Sequence, residues 1–110
     1  MAKFTILHNP RCGKSRIALK LLEGEGVDLE IREYLDDPLS ENELQELLAV
    51  AKFNTQALVR NKEAKDFGVN LKTDDLIKAI AMYPKIMQRP IVIKGKTAVI
   101  ARDDDWFEQL

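Results

Sequence analysis

The sequence predicts one α/β domain, a four-stranded mixed sheet flanked by helices, and three observations carry that expectation. Lys3 to His8 and Leu29 to Leu35 each carry the apolar pattern of a strand, with Leu29 and Ile31 alternating against Glu30 and Arg32. Between them the period turns helical, so strand, helix and strand form a βαβ unit whose crossover is expected to be right-handed and its strands parallel. Near the other end, Ile91 to Ile93 and Thr97 to Ile100 flank Lys94-Gly95-Lys96, which reads as a hairpin. At 110 residues the chain has room for a single domain over 1–110, and its 45% apolar content supplies a core without metal or disulfide.

The elements follow in order. Asn9-Pro10 forces a turn after the first strand, because proline fixes its own backbone and keeps the residue before it out of the helical region. From Gly13, residues Ile17, Ala18, Leu21 and Leu22 are expected to share the buried face of a helix ended by Gly24 and Gly26. Ser40-Glu41-Asn42-Glu43 is a capping box, stapled by Leu39 and Leu44, that opens a helix burying Leu44, Leu47, Leu48 and Ala51. Residues 55–67 read as short helical turns. Thr73, with Asp74 and Asp75, is expected to cap a further helix that turns Leu76, Ile77, Ile80 and Ala81 inward until Pro84 stops it. Asp103 to Leu110 reads as a last short helix. This order is the thioredoxin-like arrangement, with a helical insert between the βαβ unit and the C-terminal β-hairpin.

Composition narrows the function. Seventeen basic and eighteen acidic residues leave a formal charge of -1, which argues against a nucleic-acid or membrane-surface partner. The start of the chain has no signal-peptide pattern, and its apolar runs of a few residues fall far short of a membrane span. With one cysteine there is no internal disulfide, so a cytoplasmic location is expected. One histidine and one cysteine among scattered acids give no metal-ligand spacing. Charge is unevenly spread, however. Residues 1–22 hold Lys3, Arg11, Lys14, Arg16 and Lys20 and no acid.

That electropositive stretch surrounds Cys12, which lies between a strand end and a helix start. Unpaired amides of a first helical turn and the helix dipole favour thiolate over thiol. Such surroundings bring a cysteine pKa from ~8.5 to between roughly 3.5 and 7.5. A lone cysteine is more often a small buried hydrophobe. Here its place in an exposed strand-to-helix loop among cations favours a nucleophile. His8, the only histidine, ends the first strand and either orients the sulfur or is an ordinary strand-end polar residue.

Two look-alike motifs fail on spacing. Gly13-Lys14-Ser15 resembles the end of a P-loop, but His8 stands where that motif needs glycine. A phosphatase-type cysteine loop needs arginine where Ala18 stands. Cys12-Gly13-Lys14-Ser15 instead matches a C-x-x-C redox motif whose second cysteine is serine, so an adduct on Cys12 must be resolved by an outside thiol. Arg60, Arg89 and Arg102 are the remaining candidates. Singly each reads as a surface charge, but the Arg89-Pro90 step falls where thioredoxin-like folds place a cis-proline beside the nucleophile.

On these residues the sequence resembles the glutaredoxin-coupled arsenate reductases of the ArsC type and their relatives of unassigned activity. His8-Asn9-Pro10-Arg11-Cys12-Gly13-Lys14-Ser15-Arg16 is similar to that family's active-site segment. Ala57-Leu58-Val59-Arg60, Arg89-Pro90-Ile91-Val92 and Arg102 match the segments of its three anion-binding arginines. The resemblance implies an oxidoreductase in which Arg60, Arg89 and Arg102, with His8, serve a Cys12 that attacks arsenate, while Gly13, Lys14, Ser15, Arg16 and Pro90 line the substrate. Glutathione would then attack the arsenic–cysteine adduct as co-substrate, and glutaredoxin would clear the mixed disulfide, with no bound cofactor and the protein a monomer. Arg11 stands where well-studied members often carry a small residue, and the chain stops at Leu110, and both features look more like the shorter housekeeping branch.

Two other readings compete. A glutathione-dependent thiol/disulfide reductase of the same fold would use the arginines to hold glutathione carboxylates. A regulator of the Spx type, which grips RNA polymerase, would share the fold, but Ser15 breaks the cysteine pair those proteins usually carry.

Overall fold

The computed structural model describes residues 3–110. Strand β1 (Lys3–His8) leads through a tight turn into helix α1 (Gly13–Gly24) and strand β2 (Asp28–Glu33). Four helices follow, α2 (Glu41–Val50), α3 (Thr55–Leu58), α4 (Asn61–Asp66) and α5 (Leu76–Met82). A 3₁₀ turn at Pro84–Ile86 then leads into the hairpin of β3 (Ile91–Lys94) and β4 (Thr97–Ile100). The sheet runs β2-β1-β3-β4, with β1 parallel to β2 and antiparallel to β3. This is the mixed four-stranded sheet, with a helical insert, that the element order implies.

Alternation along the central strands builds two cores. Phe4, Ile6, Val92 and Val99 turn to one face and pack against Ala18 and Leu22 of α1 and against Trp106. Leu7, Ile91 and Ala98 turn to the other and meet the insert through Leu44, Leu47, Leu58, Ile80 and Ile86. Burying each large aliphatic side chain contributes about 1.5–3 kcal/mol, so these two layers fix the sheet between its helices. Gly95 opens the two-residue hairpin loop at φ +56°, a left-handed conformation suited to glycine.

Two local expectations are corrected and two are narrowed. Ile17 is 63% exposed, because α1 presents Ser15, Ala18 and Leu22 to the sheet instead of the stripe through Ile17. A polar residue takes the core-facing position because its hydroxyl is satisfied there, by His8 and by the Asn9 backbone. Ile31 is 46% exposed, since β2 is an edge strand. Of the three residues expected at the start of α5, Asp75 is the cap, accepting the Lys78 N–H at 3.2 Å. The expected closing short helix is present, as a 3₁₀ helix over Trp106–Gln109. No described helix is long and apolar enough to cross a membrane. The described residues also bring no three His, Cys, Asp or Glu side chains together as a metal site.

The link from β2 to α2 matters for the site. Ser40 and Glu43 complete the expected capping box, each side chain taking the other's backbone N–H. Arg32 of β2 adds a forked bond to Glu43 (2.5 and 3.2 Å) and donates to the carbonyls of Asp37 and Pro38. One guanidinium therefore ties the strand, the following loop and the next helix together. The Arg32 pairing and the Ser40 N–H hold the Glu43 carboxyl down at about 2, from 4.5. A carboxyl pKa depressed by folding stabilises the fold above its unfolded value, and that contribution is lost as pH falls through the folded value. Glu43→Ala is expected to cost about 1 kcal/mol at pH 7, since the pair is partly solvent-screened. Thermal melts should show the difference from the parent shrinking between pH 4.5 and about 2.

Candidate active site

Cys12 sits where topology concentrates unpaired amides. The Asn9 side chain accepts the Arg11 N–H at 3.0 Å, and the Asn9 carbonyl accepts the Cys12 N–H at 3.0 Å. This turn delivers Cys12 as the N-cap residue of α1, with extended backbone (φ -94°, ψ 123°). An N-cap side chain faces the free N–H groups of the first turn. Here that side chain is a sulfur, and the N–H groups of Ser15 and Lys14 act on it.

Behind the turn, His8 and Ser15 form a buried pair. His8 Nδ1 lies 2.7 Å from Ser15 Oγ, which also accepts the Asn9 N–H at 3.0 Å. Burial lowers the His8 pKa, opposed by Glu33 and aided by Arg16. The imidazole is therefore neutral at pH 7, and its hydrogen bond goes to the hydroxyl that holds the loop.

The hairpin supplies the cations. Arg89-Pro90 is a cis peptide at the entrance to β3. The Pro90 carbonyl accepts the Ala101 N–H at 2.9 Å, and the Arg89 carbonyl accepts Arg102 Nη1 at 2.8 Å. The same Nη1 approaches Cys12 Sγ at 3.9 Å, a long N–H to sulfur contact. Burial alone would push the thiol up. The Ser15 amide, the Arg89 and Arg102 guanidiniums and the Lys14 amide outweigh it, and the Cys12 pKa falls below its ordinary value.

Other residues singled out from the sequence lie at different distances from this chemistry. Arg60 is held by a bridge between Val59 and Met87 and by its own N–H to the Ile86 carbonyl at 2.7 Å. Its Nε is ion-paired with Glu63, and its charge acts on Tyr34. Arg16 folds back onto the Pro10 carbonyl at 3.0 Å. Lys14 and Arg11 are exposed, so Lys14 contributes its amide and not its ammonium group. Gly13 is not demanded by space, since a Cβ there would meet only Arg16 Nη2 at 3.8 Å. Pro90 is buried and sets the start of β3.

Sequence reasoning missed Tyr34. It follows Glu33, which pairs with His8, so it emerges beside Asn9 at the same end of the parallel strands. The residue is 1% exposed, and its hydroxyl has no hydrogen-bond partner among the described residues. Read as one more strand residue, it carried no chemical signal. Its position beside the Cys12 loop follows from strand register alone.

The electrostatics make a direct expectation. Rates of Cys12 alkylation by iodoacetamide across pH should titrate below the midpoint of an ordinary cysteine. Arg102→Ala should move that midpoint upward, whereas Arg11→Ala, which removes an exposed charge, should leave it in place.

Comparison with known proteins agrees with this geometry. The ArsC family model matches residues 7–110. An arsenate reductase of Neisseria meningitidis serogroup A is 39% identical over 108 residues, which cover 93% of this chain and 92% of the relative. An uncharacterized Escherichia coli protein is 40% identical over 103 residues, covering 88% of this chain and 87% of its own. The solved structure of an arsenate reductase from Vibrio cholerae superposes with a TM-score of 0.85 at 32% identity, over 99% of this chain and 98% of that one. With a thioredoxin-like sheet and its cysteine at the head of the first helix, this chain belongs to the ArsC family.

Proposed function

We propose that this protein is a thiol-dependent arsenate reductase whose nucleophile is Cys12. The observation that carries the reading is the meeting of the α1 amides and two guanidiniums on one lowered-pKa sulfur. Such a site can both ionise the nucleophile and receive a tetrahedral oxyanion. Helix N-termini bind anions through free N–H groups, and guanidinium forks donate paired hydrogen bonds to oxygens of one centre.

In this mechanism arsenate lies over the start of α1, with Arg89 and Arg102 against its oxygens and Arg60 at the rim. The Cys12 thiolate attacks arsenic, an S–As bond forms, and one arsenate oxygen leaves as water. Reduction needs two electrons, and the chain has no second cysteine to help supply them. Glutathione fills that role. Its thiolate attacks the adduct, an S–S bond forms, and the electron pair of the S–As bond departs with arsenic as arsenite. Glutaredoxin then clears the mixed disulfide and restores the Cys12 thiolate. The neutral His8 serves as a positioning residue, holding Ser15 and through it the loop that presents the sulfur.

The test is arsenate-dependent NADPH oxidation, coupled through glutathione reductase, glutathione and glutaredoxin. Cys12→Ser is expected to abolish the rate. Arg102→Ala and Arg89→Ala should each lower turnover by ~100-fold or more, the scale seen when one donor to a developing anion is removed. The absence of an arsenate-dependent rate, together with rapid reduction of a glutathionylated peptide, would replace this reading with the thiol/disulfide reductase.

A further inference from the structure

Two buried hydrogen-bond donors at the Cys12 site have no partner within the described residues, the Tyr34 hydroxyl and Arg89 Nε. A buried donor left without an acceptor is costly in a folded protein, so a pair of them at one site calls for a reason. A ligand with acceptor oxygens would supply it.

The surroundings of Tyr34 decide which way its hydroxyl works. Asn9 lies alongside the phenol with its Oδ1 turned to the Arg11 N–H, and its effect on the phenol is that of a donor, since it lowers the pKa. It gives the phenol hydrogen no acceptor, and no hydrogen bond among the described residues uses the hydroxyl. Arg89, Cys12 and Arg60 are all within electrostatic reach of the ring oxygen. Burial, with the nearby Cys12 charge, holds the phenol pKa above its usual value against Arg89, Asn9 and Arg60, so the group remains a protonated donor.

We propose that Tyr34 is a substrate-binding residue of this site, donating its O–H, beside Arg89 Nε–H, to an oxygen of the bound tetrahedral oxyanion. The inference rests on the oxyanion-binding reading given above and deepens it. A phenol adds a hydrogen bond without adding positive charge. It can therefore strengthen oxyanion binding without lowering the thiol pKa further, which another arginine would do. The anchoring of its loop by Arg32 keeps the ring in place.

The experiment compares the intact protein with Tyr34→Phe. Protection of Cys12 from iodoacetamide is measured against inorganic phosphate, sulfate and arsenate, together with Tm without anion and the pH midpoint of alkylation. A hydrogen bond to a charged group predicts about a 10-fold or greater rise in the half-protecting anion concentration for the variant. Tm without anion should be unchanged or higher, because the hydroxyl removed had no partner, and the alkylation midpoint should not move. Equal protection of both proteins would overturn the proposal, as would no protection of the parent by any of the three anions. A fall in Tm without anion would assign the hydroxyl to the fold and overturn it too. Anion protection that depends on Tyr34 without arsenate turnover would remove the proposed reaction and leave this residue's role standing. Turnover and protection indifferent to Tyr34→Phe would do the reverse.

Discussion

The tie between the Arg89-Pro90 step and the Ala101-Arg102 step governs the chemistry of this protein. Two carbonyls on consecutive residues each fix a partner from the far side of the hairpin, one an amide and the other a guanidinium. Because the sheet order places β3 next to β1, this tie lands beside the loop that leaves β1 and opens α1. The Arg102 guanidinium then has two duties, closing the hairpin and facing the Cys12 sulfur. Fold and electrostatics are joined through one side chain, and a cation held by a carbonyl loses little freedom when an anion arrives.

The other half of the site is made by local chain chemistry. Asn9 shapes the turn, Cys12 takes the N-cap position, and Ser15 turns inward because His8 and the Asn9 amide answer its hydroxyl. A serine at a core-facing position would ordinarily weaken the packing of α1 on the sheet. Here its satisfaction sets the helix so that Ile17 is exposed and the first-turn amides lie near enough to the sulfur to lower its pKa. The polar pair under the helix and the exposed isoleucine on it are consequences of one arrangement.

Much of the fold was legible because its signals are local. The capping box at Ser40, the hairpin around Gly95 and the stop at Pro84 each follow from a few adjacent residues. Cys12 was legible for the same reason, since strand, turn and helix start are read within a dozen residues. What escaped depends on contacts distant in sequence. The rotation of α1 needed the His8 to Ser15 bond, which periodicity does not see. The difference between Arg102, which reaches the sulfur, and Arg60, which pairs with Glu63, needed the tertiary placement of both. Tyr34 needed the pairing of Glu33 with His8.

A thiolate nucleophile faces two opposed demands. Lowering its pKa increases the anionic fraction, yet each further decrease makes the sulfur less nucleophilic. The site answers with a balance. Burial works against ionisation, while two amides and two guanidiniums work for it, one guanidinium nitrogen at the long separation of 3.9 Å. A third cation close to the sulfur would tilt that balance toward an inert thiolate. Arg60 is paired with Glu63 and its charge acts on Tyr34, whereas Arg89 and Arg102 are the guanidiniums that act on Sγ by hydrogen bonding. The proposed reactivity of Cys12 therefore depends on cations that ionise the sulfur without capturing it.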